Sequence, residues 1–136
     1  MLGEISPQIH GDGMDRLERF DTILDLPALD ELHQLLGADL CDIVAQLLVQ
    51  LPAQFQALSV ASAAGDFVAI RSIAHNIKGS VGNMGGVALS KAAAALEGAA
   101  RELDSALVAR QMEQVTELVP ETLAAFEAFV CERCGD

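Results

Sequence analysis

The stretch Phe67–Gly86, FVAIRSIAHNIKGSVGNMGG, decides how the rest of the chain is read. Its apolar residues Phe67, Ile70, Ala74, Ile77, Val81 and Met84 recur at spacings of three and four, the signature of a helix with one buried face. Asp66 stands where an N-cap belongs, after Gly65, and Gly85 and Gly86 punctuate the far end. Outward from this helix the same periodicity continues in both directions. Upstream, Pro27 takes a first-turn position and Leu29, Leu32, Leu35 and Leu36 share one side until Gly37 stops the segment. Leu40, Val44, Leu47, Leu51, Phe55 and Leu58 then form a longer stripe, in which Pro52 is expected to bend or break the helix. Downstream, Leu89, Ala93, Leu96, Ala100, Leu103 and Leu107 read as one helix. Val115, Val119, Leu123, Phe126 and Val130 read as another, beginning near Gln111 and kinked at Pro120.

Amphipathic helices with short connections and no strand pattern predict an all-α, antiparallel four-helix bundle. The bundle is expected over residues 25–134. Residues 1–24, with Gly3, Pro7, Gly11 and Gly13, form a looser N-terminal segment with a short helix around Met14–Leu24. Abundant Ala and Leu, no Trp or Tyr and only five Phe agree with a helical protein.

A net charge of −12 argues against nucleic acid and against an anionic membrane surface. No uninterrupted apolar run has the ~18 residues of a spanning helix, and the first residues do not resemble a signal peptide, so a cytoplasmic protein is expected. The three cysteines have no framework spacing and are expected as reduced, incidental thiols. Cys131 and Cys134 make a CxxC, half of a zinc site, but Cys41, His10 and His33 show no spacing that would complete it. His10 and His33 read as incidental.

The chemistry lies on the face of the central helix opposite its apolar stripe. At ~100° per residue, Arg71, Ser72, Lys78, Gly79 and Gly82 all fall within ~60° of His75. Glycine inside a helix costs ~1 kcal/mol relative to alanine, so two beside an outward histidine call for a reason. Bare backbone there lets a partner or a phosphoryl group approach the imidazole. Between Phe67 and Leu96 there is no Asp or Glu, whereas Arg71, Lys78 and Lys91 all fall in that span. This predicts a locally basic face on an acidic protein. An unperturbed imidazole titrates near ~6.5 and is a neutral nucleophile at cytoplasmic pH, able to take up and surrender a phosphoryl group. No second acid or base is evident beside His75 to activate water. Neither a P-loop nor a kinase glycine loop is present to bring ATP.

The run Ala74, His75, Ile77, Lys78, Gly79 and Gly85 resembles the phosphoacceptor motif of histidine-containing phosphotransfer (HPt) domains. Leu29 to Gly37, Ala64 to Asp66, and Leu89 with Leu96-Glu97 look like the elements around it, so the likeness covers roughly Asp25 to Ala109. Pro52 is a departure, standing where the family more often has a plain apolar residue. The resemblance implies a four-helix phosphocarrier rather than an enzyme. His75 Nε2 would accept a phosphoryl group from a receiver-domain aspartate and pass it to another receiver. Lys78 would assist electrostatically, and Arg71, Ser72, Gly79 and Gly82 would form the docking face. The partners implied are response-regulator receivers and a hybrid histidine kinase. Any Mg2+ would belong to the receiver, with no cofactor or metal on this monomeric chain. Two alternatives stay open: a bundle that only binds or dimerises, and the phosphoacceptor domain of a chemotaxis-type or hybrid kinase, which Gly82 also resembles.

Overall fold

The computed structural model describes residues 23–135, which form five α-helices and no strand. They are α1 (Leu26–Leu36), α2 (Ala38–Ala64), α3 (Phe67–Asn83), α4 (Val87–Arg101) and α5 (Ser105–Phe129), followed by a π-helical turn, Val130–Cys134. Helices α2 to α5 close a ring: α3 packs on α4, α4 on α5, and α2 on both α3 and α5. Their connections are only two or three residues long, which forces neighbours to run antiparallel. The short α1 lies against the start of α2 and is tied to the α3–α4 turn by Asp25 N–H donating to Gly85 O at 2.8 Å. The expected N-terminal helix and His10 lie outside the described residues, apart from Ile23 and Leu24, whose side chains are buried.

Local chemistry explains each boundary. Asp25, Asp66 and Asp104 cap α1, α3 and α5, each accepting from the backbone N–H three residues on at 3.0–3.1 Å. Gly65 ends α2 in the left-handed conformation (φ 67°), its N–H donating to Ser62 O at 3.1 Å. Gly85 turns the chain after α3 at φ 82°. The core is the set of stripes read above: Leu40, Val44, Leu47, Leu51 and Leu58 from α2 meet Ile70, Ala74, Ile77 and Val81 from α3. Leu89, Ala93 and Leu96 from α4 and Val115, Val119 and Phe126 from α5 complete it. Each such Val, Leu, Ile or Phe contributes about 1.5–3 kcal/mol on burial.

Five expectations are corrected. Pro52 does not break α2, which runs through it from Ala38 to Ala64; Pro120, expected as a kink, also lies inside a continuous helix, α5. Both prolines are exposed, so the strained side faces solvent while Leu51 and Val119 hold the inner side in the core. The α4–α5 boundary lies earlier than Gln111. Leu103 adopts φ 58° in the turn and Asp104 starts α5, so Leu103 leaves the stripe and is 67% exposed. Leu35 is 80% exposed, because the short α1 reaches the bundle mainly through Leu29 and Leu32. By length and composition α2 does qualify to cross a membrane; in the bundle its apolar stripe is core, and Asp39, Asp42 and Gln50 face outward. Finally, Cys41 and Cys134 form a disulfide, across a separation of 93 residues that no local spacing reveals. The tail is brought there by a fork of hydrogen bonds from Arg133 to Asp30, Nε to Oδ1 at 2.9 Å and Nη2 to Oδ2 at 3.4 Å.

Candidate functional site

Helix α3 presents His75 to solvent while Ala74 and Ile77, its near neighbours in sequence, are fully buried. The His75 side chain is 63% exposed. It sits in a shallow open groove between α3 and α4, lined also by Val68, Arg71, Ser72, Glu97 and Arg101. The floor of the site is Glu97, which α4 inserts into a core-facing position beside Ala93 and Ala100 and which is only 7% exposed.

Three cations or donors converge on this one carboxylate. His75 Nδ1 lies 3.0 Å from Oε2, Lys78 Nζ donates to Oε1 at 3.0 Å, and Arg101 Nη2 donates to Oε2 at 3.3 Å. The hydrogen bond from Lys78 holds the Glu97 carboxyl below its ordinary value. Burial opposes this, and the bond from His75 reinforces it. An ionised carboxylate only accepts, so the imidazole nitrogen facing it is the one that carries hydrogen. His75 Nδ1 is therefore the N–H, and in the neutral form of the ring the lone pair lies on Nε2, on the solvent side. The helix thus displays an imidazole held at Nδ1 by Glu97, with Nε2 on the solvent side.

The sequence reading placed His75, Lys78, Arg71 and Ser72 together, and the structure does so. Lys78 is engaged rather than free: its ammonium is shared with Glu97, and its backbone carbonyl accepts from Ser90 Oγ at 3.1 Å. Gly79 and Gly82 lie further along α3, outside the groove. A Cβ on Gly79 would meet nothing within 4 Å, so its face is open. Gly82 differs, for a Cβ there would come within 2.9 Å of Ser90 Oγ, which gives this exposed glycine a packing reason against α4 that its outward phase concealed. The expectation that no acid accompanies His75 is corrected by Glu97, and Arg101 is a second missed member. A signal for Glu97 was present: an acid in the alanine-rich stripe of α4 needs a buried partner, and the acid-free span of α3 supplies one. His33 is not solitary either, since its Nε2 lies 3.9 Å from Cys41 Sγ.

The family model of the Hpt domain matches residues 42–128, which span α2 to α5 and include every member of this site. The chain belongs to the Hpt domain family. Among solved structures, the Hpt fold here is similar to that of histidine-containing phosphotransfer protein B (HptB) from Pseudomonas aeruginosa PAO1. The TM-score is 0.74 at 25% sequence identity, over 78% of this chain and 92% of that one. No curated protein sequence gives a significant match. As an Hpt domain it is a histidine phosphotransfer protein of two-component phosphorelays, a phosphocarrier that works with receiver domains.

Proposed function

We propose that His75 is the phosphoacceptor, taking a phosphoryl group from a receiver aspartate through Nε2 and delivering it to a second receiver. The observation that carries this reading is the Nδ1–Glu97 hydrogen bond of 3.0 Å on an otherwise exposed ring. In the forward step Nε2 donates its lone pair to phosphorus, the N–P bond forms, and the aspartyl O–P bond breaks. The aspartate leaves as a carboxylate. The ring then carries positive charge, which the Glu97 carboxylate offsets through the Nδ1–H it already holds. Transfer onward reverses these steps on another aspartate.

Lys78 and Arg101, positioned by Glu97, and Arg71 on the same groove put cations around the incoming phosphoryl oxygens. Together with Glu97 these three leave a net positive rim, which suits a receiver's acidic phosphorylation site. Ser72, the open backbone at Gly79 and the exposed Gly82, packed against Ser90, extend the docking face along α3. The catalytic metal belongs to the receiver; this chain works as a monomeric, cytoplasmic carrier, with residues 25–134 as the phosphotransfer unit. The kinase supplying the pathway is of the hybrid type, and it reaches His75 through its receiver.

The test is incubation of the full chain with a phosphorylated receiver and magnesium, followed by intact-mass measurement at neutral and acid pH. One added phosphoryl that is lost in acid, and absent in a folded His75→Gln variant, is expected. Transfer that persists in His75→Gln would remove the assignment.

A further inference from the structure

At the far end of α1, away from the groove, a second cluster of chemistry-bearing side chains assembles. His33 from the last turn of α1, Cys41 from the first turn of α2 and Cys134 from the C-terminal π-helical turn each offer one donor atom. These three atoms all lie within 4.8 Å of one another and are half-buried. His33 Nε2 is 3.9 Å from Cys41 Sγ. The Phe129 ring meets the imidazole edge-on, with centroids 6.0 Å apart at 77°, which limits rotation of the ligand. The tail bearing Cys134 is held independently of its sulfur by the Arg133–Asp30 fork and by the Arg133 guanidinium over Phe129 at 5.5 Å. Neither contact involves the sulfurs, so reduction of Cys41–Cys134 leaves both contacts chemically unchanged.

We propose that the reduced protein binds one divalent transition ion, zinc first among them, through His33 Nε2, Cys41 Sγ and Cys134 Sγ, with water in the fourth position. Zinc takes sulfur at ~2.3 Å and imidazole nitrogen at ~2.0–2.1 Å in tetrahedral geometry, which sets donor atoms ~3.5–3.8 Å apart. The His33–Cys41 separation already approaches that spacing. Two thiolates and an imidazole suit zinc and exclude magnesium or calcium. The site forms by exchange with a cellular thiol: two R–SH molecules become R–S–S–R, and Cys41 and Cys134 each gain a hydrogen. Zn2+ then displaces those two protons, and two thiolates neutralise its charge. A reducing compartment holds the pair in this dithiol form, while oxidation closes it into the disulfide. Oxidation and metal binding thus compete for the same two sulfurs, at a site separate from His75.

The experiment is titration of the full reduced chain with Co2+, followed by Zn2+ displacement. A 1:1 complex with a sulfur-to-cobalt charge-transfer band and tetrahedral d–d bands is expected. The bands should vanish in Cys41→Ser and in Cys134→Ser. They should weaken in His33→Gln by more than the roughly 10–100-fold typical of losing an outer-shell partner. Cys131, the free exposed thiol, should be dispensable, so Cys131→Ser keeps the bands. Zinc should also shield Cys41 and Cys134, but not Cys131, from alkylation as read by mass spectrometry. This second readout needs no variant and is unaffected if a substitution unfolds the tail. Failure of the reduced wild-type chain to bind would overturn the proposal. So would bands that survive Cys41→Ser but disappear in Cys131→Ser, or an oxidised protein that binds as well as the reduced one.

Discussion

Replacing Glu97 by Gln keeps the shape of the side chain and removes its charge, which separates what the carboxylate does from the space it fills. In the native site one oxygen takes Lys78 at 3.0 Å and the other takes His75 and Arg101 at 3.0 and 3.3 Å. A primary amide has one acceptor oxygen and one NH2, so either orientation turns a donor toward a donor. With its oxygen on the Lys78 ammonium, the amide NH2 faces His75 Nδ1 and favours the tautomer with hydrogen on Nε2, which is not nucleophilic. With its oxygen on His75, the tautomer is kept but a charge-assisted bond becomes a neutral one. Hydrogen bonds to charged groups contribute about 1.5–3 kcal/mol against about 0.5–1.5 for neutral ones, so the transition state loses roughly 1–1.5 kcal/mol even then. Each 1.36 kcal/mol is tenfold in rate, and the tautomer effect adds to it, so transfer should slow by about 10–100-fold. Stability should fall by about 1–3 kcal/mol, since the buried amide turns one donor toward a donor. The assay is single-turnover transfer from a phosphorylated receiver, well below the melting transition, with urea unfolding in parallel. A folded Glu97→Gln variant transferring within twofold of wild type would refute the role given to the carboxylate.

Three other expectations follow from the same geometry. A Cβ at Gly79 meets no neighbour within 4 Å, and Gly79→Leu swaps a poor helix former for a good one, so the Tm should hold or rise while receiver docking weakens; isothermal titration and a thermal melt check both. Because Glu97 is lowered from its ordinary value of 4.5, its stabilisation is complete above that value and is lost as pH falls through the lower folded value. As pH falls below 4.5 the wild type should thus lose more urea resistance than Glu97→Gln, with Asp30, lowered by its hydrogen bond from Arg133, adding to the slope in both. Gly85→Ala forces φ 82° on a residue with a Cβ and places that atom 3.3 Å from Asp25 O, so it should cost about 1–2 kcal/mol in unfolding free energy.

The bundle was legible because its information is local and repeated. Stripes at three- and four-residue spacing define core faces, and Gly65 and Asp66 mark an end and a start that the structure keeps. Positions where local rules misled are those where tertiary packing decides. Pro52 looks like a break in isolation, but it occupies the wet side of a helix whose dry side is anchored. Leu103 fits a helical stripe by spacing, yet Asp104 is the stronger signal as a cap. At the site, His75, Lys78, Arg71 and Ser72 share one helix face and could be found from a single phase calculation. Glu97 and Arg101 come from another helix, and a one-helix phase cannot report what faces it. The disulfide is the extreme case: Cys41 and Cys134 are joined by tail packing through Asp30 and Arg133, contacts that no spacing encodes.

The central claim is that His75 carries the phosphoryl group on Nε2 while Nδ1 keeps its hydrogen on Glu97. It is tested most directly by NMR of the 15N-histidine-labelled chain, phosphorylated by a receiver or a small phosphoramidate. Phosphorus coupling to Nε2 of one ring of the three, with Nδ1 still protonated and the signal absent in His75→Gln, is the predicted result. Coupling to Nδ1, or phosphorylation of His10 or His33 in place of His75, would contradict the account.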